Sequence, residues 1–304
     1  MTGQPTPPPS PCGFLVIDKP SGFTSHDCVA RARKLLGTRR VGHGGTLDPA
    51  VTGVLPLAVG GATRLLPYLD GTKEYLGRLR LGTNTDSDDL SGTVLKQCPW
   101  PQLNTAALEA ALEPFRGTIQ QRPPQISAVH VDGQRAHARA RRGEEVQLQP
   151  REVNILELEL LHWDQASGEL AIRLRCSAGT YVRSLARDLG EQLGCGGCLA
   201  QLRRTEALGF GLHHCLSLES LEPGTNLLDP LTALNHLPSQ RIAKEDWLAW
   251  SRGQRLPLLG HADPGKITNN SVVVMLRPNG SLAGMARICD QNQLQPRLVL
   301  DAAG

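Results

Sequence analysis

Two segments of the chain alternate apolar and charged residues with a period of two, and this pattern limits the possible folds more than any other feature. In KEYLGRLRLG (73–82), Tyr75, Leu79 and Leu81 fall on one side and arginines on the other. In LAIRLRCS (170–177), an apolar series again alternates with arginines. Successive side chains of a strand point to opposite faces, so both segments predict strands of a sheet covered on one face. We expect Tyr75 on the covered face, at the start of its strand.

Other segments predict helices and a second module. A helix capped by Thr24 or Ser25 ends near Gly37, another ends by Gly117, and GTYVRSLARDLGEQLG (179–194) forms a third. A further strand is expected at VNILELELL (153–161). From about residue 238 the chain changes to short apolar runs around the turn RPNG (277–280). The chain therefore predicts an α+β body followed by a small β-rich module.

A glycine-rich stretch, VGHGGTLDPAVTGVLPLAVGGATRL (41–65), holds six glycines and a single acidic residue, Asp48. Between Asp27 and Asp70 no other acid occurs. The stretch predicts a loop followed by a strand over VLPLAV (54–59), in which Pro56 indicates a sheet edge or a bulge. Asp48 itself could form a turn or helix cap, bind a metal, accept a phosphoryl group or act as a nucleophile.

The residues around Asp48 weigh against two of these functions. His43 alone accompanies it, which is thin support for a metal site. Asp70 begins DGT, the end of a DxDGT phosphatase motif, but Tyr68 stands where that motif needs its first aspartate. A nucleophile acting on a sugar carbon stays open beside the turn former. Since glycosidases use two carboxylates, a single one suits a leaving group that is stable as an anion, such as uracil.

Charge is concentrated in clusters, although the net charge of the 304-residue chain is only +3. Two basic clusters suit a polyanion that is held at two places, whereas either cluster alone could be ordinary solvated surface. With 4% aromatic residues, the chain has little surface for an open stacking platform. The basic clusters are Arg31, Arg33, Lys34, Arg39 and Arg40, and then Arg135, Arg139, Arg141 and Arg142, while Asp86, Asp88 and Asp89 form an acidic cluster.

The second basic cluster lies in PPQISAVHVDGQRAHARARRGEEV (123–146), where Asp132 and Gly133 predict a hairpin. We expect a polar arm over about residues 121–150, because such a segment has little apolar surface to bury.

The eight cysteines and the N-terminal residues indicate a cellular location. Irregular cysteine spacing, with no secretory signal in the proline-rich start, predicts free thiols in a reducing compartment. Residues 1–12 are expected to be a disordered tail. The CxxC pair of Cys195 and Cys198 is interpreted as a glycine-rich turn after a helix, not as a redox or zinc site. No apolar run approaches the roughly 20 residues of a membrane span, and we expect a cytoplasmic protein.

Five motifs occur in order between Phe14 and Phe210: FLVIDKPSGFTSHD (14–27), GHGGTLDPAVTGVLPLAVG (42–60), KEYLGRLRLG, GTYVRSLARDLGEQLG and LAQLRRT (199–205). Together they resemble the bacterial tRNA pseudouridine-55 synthases of the TruB family. The resemblance implies a mixed, mainly antiparallel sheet over residues 13–237 with an inserted RNA-gripping arm, and a small PUA-like RNA-binding domain over 238–304.

The resemblance also implies the reaction. Uridine 55 in the T loop of tRNA would be flipped out and isomerised to pseudouridine, with no metal, no cofactor, no membrane and no required protein partner. We expect a monomer because no long apolar seam is evident. Asp48 corresponds to the catalytic nucleophile, although attack on the sugar and attack on the base both stay open.

Further site residues follow from the same resemblance. Tyr75 would stack on the target base and take part in proton transfer, and Tyr181 and Leu202 would line the uridine pocket. His43 would lie next to the flipped nucleotide. Without the resemblance, Tyr75 and Leu202 would be interpreted as core residues and His43 as an ordinary loop histidine.

Arg183 has an argument of its own. If Thr180 caps the helix, Arg183 lies in its first turn, where the macrodipole disfavours a cation by some tenths of a kcal/mol. A residue placed against local preference indicates function. A buried arginine beside Asp48 would keep the carboxylate ionised and oriented. The resemblance pairs the same two residues.

The arm departs from the family pattern. It has Ile126, His130 and His137 where relatives usually have Tyr, Lys and Tyr. The arm arginines Arg135, Arg139, Arg141 and Arg142 are expected on RNA phosphates.

A second hypothesis is a tRNA-binding folding factor with an inert site. The complete set of Asp48, Tyr75 and Arg183 favours catalysis, because loss of any one would have favoured binding alone.

Overall fold

The computed structural model describes residues 12–127, 130–131, 134–135, 148–259, 270–289 and 292–300. Most of the tail expected at 1–12 and most of the expected arm therefore lie outside the described residues. The helices are α1 (Ser25–Leu36), α2 (Thr105–Leu112), α3 (Val182–Gln192) and α4 (Trp247–Ser251). Short 3₁₀ segments cover Gly60–Tyr68, Glu113–Phe115, Leu212–His214 and Pro230–Ala233.

The strands of the N-terminal two thirds are β1 (Gly13–Lys19), β2 (Val41–His43), β3 (Thr52–Val59), β4 (Lys73–Leu81), β5 (Thr83–Thr85), β6 (Val94–Gln97), β7 (Gly117–Gln121), β8 (His130–Val131), β9 (Gln134–Arg135), β10 (Arg151–Asp164), β11 (Glu169–Cys176), β12 (Gly197–Ala207), β13 (Phe210–Gly211) and β14 (Leu216–Ser217). The C-terminal strands are β15 (Ser239–Arg241), β16 (Leu256–Pro257), β17 (Val272–Leu276), β18 (Leu282–Cys289) and β19 (Gln293–Val299).

The main sheet has ten strands, of which eight follow the order β14-β1-β3-β12-β4-β11-β10-β7, while β2 pairs with β3 and β13 with β12. Only the β1–β14 and β3–β12 pairs are parallel among its described strands. The mixed, mainly antiparallel sheet is thus confirmed. Its one internal parallel contact is short, since β3 and β12 pair only through Thr52 with Arg203 and Gly53 with Arg204.

Both alternating segments are strands, as predicted, and they lie side by side at the centre of this sheet. In β4, Tyr75, Leu79 and Leu81 are buried, whereas Arg78 is exposed. The buried face packs against α1 and α3, whose Val29, Ala32, Leu185 and Leu189 belong to the same apolar cluster. Burial of this face therefore fixes the strand register, because a shift by one residue would turn the arginines inward.

The position of Pro56 corrects the sequence-based expectation of an edge or a bulge. Strand β3 is internal, with β1 on one side and both β2 and β12 on the other. Pro56 lies between the residues that pair with β12 (52–53) and those that pair with β2 (57–59). Its carbonyl accepts from Gly44 N at 2.9 Å on that side. The nitrogen of a strand residue points to the same side as its carbonyl, so the missing N–H falls in a gap of the ladder.

The predicted C-terminal β-rich module is a five-stranded sheet of order β15-β17-β18-β19-β16. Trp250 is fully buried in its own apolar cluster. A second cluster joins Val274, Met285 and Leu298 of this sheet to Phe14 and Val16 of β1. A domain boundary at 237/238 and a PUA-like identity stay predictions. None of the helices in the described ranges is long and apolar enough to cross a membrane.

The hairpin expected at Asp132 and Gly133 agrees with the described strands on either side. Strands β8 and β9 pair antiparallel with Val131 opposite Gln134. The side chains of this pair, and Asp132 and Gly133 themselves, are outside the described part.

Helix α1 begins at the predicted cap. The Thr24 hydroxyl accepts from Asp27 N at 3.1 Å, and the Asp27 carboxylate accepts from Thr24 N at 2.8 Å. The helix ends at Gly37, whose φ of 63° is left-handed. This reciprocal cap satisfies two backbone donors that the first turn cannot.

We expect Thr24→Ala to lower the free energy of unfolding by about 1 kcal/mol, because it removes the cap. Thr24→Ser keeps the hydroxyl and should unfold like the wild type. Urea unfolding followed by circular dichroism measures both variants. Equal midpoints for Thr24→Ala and Thr24→Ser would contradict the role of the cap.

Candidate active site

Two buried side chains fix the backbone on either side of Asp48, in the loop between β2 and β3. Ser25 Oγ accepts from Leu47 N at 2.9 Å and donates to Leu47 O at 3.2 Å. Lys19 Nζ donates to Pro49 O at 3.1 Å and to two carbonyls of the turn after β1, at 2.9 and 2.6 Å. Asp48 therefore lies between two residues whose backbones are held, and its own carboxylate is left for other contacts.

The glycine at the end of this loop is required by its neighbour. Gly53 has a φ of +104°, and a Cβ there would lie 2.1 Å from Arg204 O. No other residue could bring β3 so close to β12 with this backbone conformation. The Arg204 side chain is fully buried, and it donates to Val54 O at 2.7 Å and to Gly45 O at 3.2 Å. Arg204 thus binds one carbonyl near the start of the loop and one just after its end, in β3.

The structure brings Arg183 to Asp48, as the sequence predicted. Arg183 Nε lies 3.0 Å from Asp48 Oδ2 and 3.9 Å from Asp89 Oδ2. Its other nitrogens donate to Ser87 O at 2.8 Å and to Ile126 O at 3.0 Å. The Arg183 side chain is 7% exposed and that of Asp48 is 42% exposed. The buried guanidinium is therefore held in a fixed orientation, while the carboxylate is accessible from outside.

The cap of α3 differs from the expectation. Tyr181, not Thr180, is the N-cap, and it has no side-chain cap. The Thr180 hydroxyl instead donates to Ser177 O at 3.0 Å. The buried Gln121 side chain takes over the contact with Tyr181, accepting from its N at 2.8 Å and donating to its O at 3.1 Å. Arg183 still lies in the first turn, so the unfavourable macrodipole contact that indicated a function is present.

Of the six residues predicted for catalysis and uridine binding, all except His43 line one cavity of about 250 Å³. This volume is just below the roughly 300 to 1,000 Å³ of usual small-molecule pockets, which suits a single base. The cavity is lined by Thr46, Leu47, Asp48, Val51, Lys73, Tyr75, Ser127, Gly179, Thr180, Tyr181, Val182, Arg183 and Leu202. Burial raises the pKa of the Tyr75 phenol, while the charge of the nearby Arg204 opposes that rise. Tyr75 is therefore a neutral phenol that can stack and donate.

A second cavity of about 590 Å³ meets the first at the ion pair. Asp48 and Arg183 line both cavities. The second is rich in carboxylates and hydroxyls, from Asp86, Asp89, Ser87 and others. The ion pair therefore forms a wall between a base-sized cavity and an acidic, polar one.

His43 is not among the residues that line either cavity. Its Nδ1 accepts from Gly45 N at 3.4 Å, and its ring lies edge-on to His26 at 5.9 Å. Burial, with smaller contributions from His26 and Arg204, lowers its pKa. These contacts fit the alternative interpretation, in which His43 is an ordinary loop histidine. Its place beside the flipped nucleotide stays a prediction.

The side chains of the four arm arginines are outside the described part of the chain, so their predicted contacts with RNA stay predictions. Arg135 belongs to β9, with its side chain outside the described part, as is the side chain of His130. The residues Arg139, Arg141, Arg142 and His137 are not described. Ile126 contributes its carbonyl to Arg183.

The cysteine pair is only partly in the predicted turn, because Cys195 lies in it whereas Cys198 belongs to β12. Gly194 and Gly196 have φ values of 74° and 77°, directly after α3. Cys195 and Cys198 are both buried, and burial raises the pKa of Cys198 to about 11. No disulfide joins any of the eight cysteines, all of which are described. Across the described residues, no group of three or more His, Cys, Asp or Glu side chains is placed to hold a metal ion.

Several residues of the site were not predicted from the sequence. Lys73 lies two residues before Tyr75, so the strand alternation places it on the same face, and this signal was available. Lys19 and Gln121 act on backbone far along the chain, and no local pattern marks them. Asp89 was noted only as part of an acidic cluster, although it lies beside Arg183.

Family models and individual relatives of this chain all carry the name of one family. Residues 33–182 match the N-terminal domain of the TruB family pseudouridylate synthases, and residues 183–230 match the tRNA pseudouridylate synthase B C-terminal domain. The chain is 58% identical to tRNA pseudouridine synthase B of Parasynechococcus marenigrum (strain WH8102), covering 97% of this chain and 99% of that protein. It is 50% identical to the protein of the same name from Prochlorococcus marinus (strain MIT 9313), with the same coverage.

Solved structures share the fold. A chain in the crystal structure of a Cbf5-Nop10-Gar1 complex has a TM-score of 0.73 at 25% identity, covering 95% of this chain and 84% of that one. A chain in the structure of an H/ACA RNP bound to a substrate RNA containing 2'-deoxyuridine has a TM-score of 0.71 at 24% identity, with coverage of 94% and 84%.

We expect Ser25→Ala to destabilise the protein by about 1 to 3 kcal/mol, because it leaves a buried N–H and C=O of Leu47 without partners. Ser21→Ala is the matched control: Ser21 is exposed, and its hydroxyl is 3.5 Å from Ala50 O, so its effect should stay within about 0.5 kcal/mol. Urea unfolding of both variants measures the difference. Similar effects would show that Ser25 does not support the loop.

Proposed function

The chain belongs to the TruB family of pseudouridylate synthases, and we propose that this isomerase converts uridine 55 in the T loop of tRNA to pseudouridine, with Asp48 as the nucleophile. The observation that carries the assignment of Asp48 is its geometry. It is the accessible half of a 3.0 Å ion pair with the buried Arg183, at the wall of a base-sized cavity that also contains Tyr75.

The chemistry needs one carboxylate and little acid assistance. The bond between uracil N1 and ribose C1′ breaks, and its electron pair stays on the base. The detached uracil turns, C5 bonds to C1′, and the hydrogen on C5 is released as a proton. Asp48 would take up C1′, or add to the base, in between. Arg183 keeps the carboxylate pointed at the cavity, and Tyr75 provides a flat, buried surface for the base.

The target base must leave the T loop before this reaction can occur, at a cost of a few kcal/mol. The size of the cavity supports single-base entry, and Tyr181 and Leu202 lie in its wall. In this proposal, Arg135, Arg139, Arg141 and Arg142 bind phosphates of the T arm, and the C-terminal sheet is a PUA-like RNA-binding domain. His43 helps to hold the open state of the loop.

The proposal places the enzyme in the cytoplasm, acting as a monomer on tRNA. Relatives that are 58% and 50% identical are named tRNA pseudouridine synthase B, which supports tRNA as the substrate. The absence of disulfides among the eight cysteines is typical of a reducing compartment.

Tritium release tests the reaction and its nucleophile together. The substrate is a T-arm stem-loop RNA labelled with tritium at C5 of the target uridine, with no metal or cofactor added. Wild type should release tritium, because the new C5 bond expels that hydrogen. Asp48→Asn should release none and bind tRNA almost as tightly, because one loop residue adds little to a phosphate-dominated interface.

Glu222→Gln is the control, since Glu222 is exposed and does not line the cavity. It should release tritium at the wild-type rate. Release by Asp48→Asn would exclude Asp48 as the nucleophile. No release by any of the three proteins, with tight tRNA binding, would instead favour the folding-factor hypothesis.

We expect Arg183→Lys to reduce the rate of tritium release by at least about 100-fold, a loss typical of removing one oriented catalytic donor. Arg183 uses three nitrogens for Asp48, Ser87 and Ile126, and a lysine has a single nitrogen in place of this planar fork. Near-normal release by Arg183→Lys would show that the orientation of Asp48 does not depend on the guanidinium.

A further inference from the structure

Two cationic side chains lie beneath the loop that carries Asp48, on the same face of the sheet as Tyr75. Arg204 of β12 is directly opposite Tyr75 of β4 in the ladder, and opposed residues of an antiparallel pair share a face. Lys73 precedes Tyr75 by two residues, so it shares that face as well. Lys73 is half-buried and lines the same cavity as Asp48 and Tyr75.

The two cationic groups converge on one point. A side chain on Gly45 would place its Cβ 3.6 Å from Lys73 Nζ and 3.6 Å from Arg204 Nη1. The absence of a side chain at Gly45 therefore leaves space next to both nitrogens, immediately below the catalytic loop.

No carboxylate in the described part of the chain pairs with either nitrogen, although the Tyr75 phenol interacts with the Arg204 guanidinium and the Cys176 thiol with Lys73. Arg204 Nη1 is buried without a hydrogen bond, although Nε and Nη2 of the same guanidinium bind carbonyls. Lys73 Nζ makes no hydrogen bond or ion pair with any described residue. Burial, and secondarily the charge of Arg204, lowers the pKa of Lys73. A buried cation without a counter-charge costs stability, so the fully buried Arg204 with the half-buried Lys73 beside it indicates an anionic ligand.

The reaction in the proposed function supplies such an anion. When the bond between N1 and C1′ breaks, its electron pair stays on the pyrimidine, and the negative charge spreads over N1 and the two carbonyl oxygens. This full delocalisation applies if Asp48 attacks the sugar. If Asp48 adds to C6 of the base, the electron pair still stays on the pyrimidine, but on N1 and the C2 carbonyl oxygen. The cavity that contains Lys73 is also the one in which the base would stack on Tyr75.

We propose that Lys73, with Arg204 beneath it, stabilises the negative charge on uracil while the base is detached from ribose. The inference rests on the proposed function and adds a catalytic residue to it. The base gains the electron pair of the N1–C1′ bond and loses it again when C5 bonds to C1′. Lys73 contributes its charge only and transfers no proton.

Lys73→Met tests this proposal, because methionine has a similar length and no charge. Single-turnover conversion of the target uridine, measured by nuclease digestion and chromatography, should slow by about 100-fold or more, as when one oxyanion donor is removed. The dissociation constant for the RNA should change by less than threefold. The melting temperature should be unchanged or higher, because an uncompensated buried charge has been removed.

A substrate with 5-fluorouridine at the target position separates catalysis from structure. Fluorine stabilises the detached pyrimidine anion, which then needs less help from Lys73. The loss caused by Lys73→Met, measured as consumption of the target nucleotide, should therefore be at least tenfold smaller with this RNA than with uridine. Lys96→Met, at an exposed lysine of β6, should match the wild type on both RNAs.

Other outcomes would overturn the inference. An unchanged rate for Lys73→Met on uridine would show that its charge is not used. Equal losses on the two RNAs, together with a lower melting temperature, would show that Lys73 supports the fold instead. An inactive wild-type protein would reject the proposed function itself, which distinguishes that failure from these two.

Discussion

The contacts of the Arg183 guanidinium hold the site together. One side chain at the start of α3 binds the carboxylate of the β2–β3 loop, the carbonyl of Ser87 and the carbonyl of Ile126. These three partners, at positions 48, 87 and 126, lie far apart along the chain. A planar group with donors in fixed directions can satisfy all three at once. The position of Asp48 therefore depends on a helix more than 130 residues away.

The same region concentrates buried positive charge. Lys19 is fully buried, and three carbonyls satisfy its ammonium. Arg204 is also fully buried, but one of its nitrogens has no partner among the described residues. The Lys19 ammonium makes all three of its hydrogen bonds to carbonyls and holds the loop backbone, whereas the Arg204 nitrogen without a hydrogen bond is available to a ligand. Such unfavourable contacts are typical of sites where activity is retained at the expense of stability.

Patterns over a few neighbouring residues were sufficient to predict the central strands and part of the site. The period of two located β4 and β11, and it placed Tyr75 on the covered face. The positive charge of Arg183 in the first turn of a helix, which the macrodipole disfavours, indicated a functional residue from the sequence alone. Lys73 could have been found by the same alternation. Each of these signals lies within a few residues of the position that it identifies.

Pairing between distant segments was not predictable in this way. Pro56 is tolerated inside the sheet because β2 and β12 leave a gap beside it. Of these two strands, β2 comes just before β3 in the chain and β12 about 140 residues after it. The cap of α3 was assigned to Thr180, but Gln121 binds the Tyr181 backbone from 60 residues away. The family resemblance supplied residue roles that neither composition nor spacing could.

The short parallel contact between β3 and β12 has a mechanical consequence. Only two ladder pairs join the β14-β1-β3 half of the main sheet to the β12-β4-β11-β10-β7 half, and the loop with Asp48 enters β3 at this junction. Side chains of β12 add to these pairs, because Arg203 forms an ion pair with Asp18 and Arg204 donates to Val54 O and Gly45 O. Asp48 stands on one half of the sheet and Tyr75 on the other, so the side chains of Arg203 and Arg204, more than the backbone ladder, hold the two sides of the cavity at their distance.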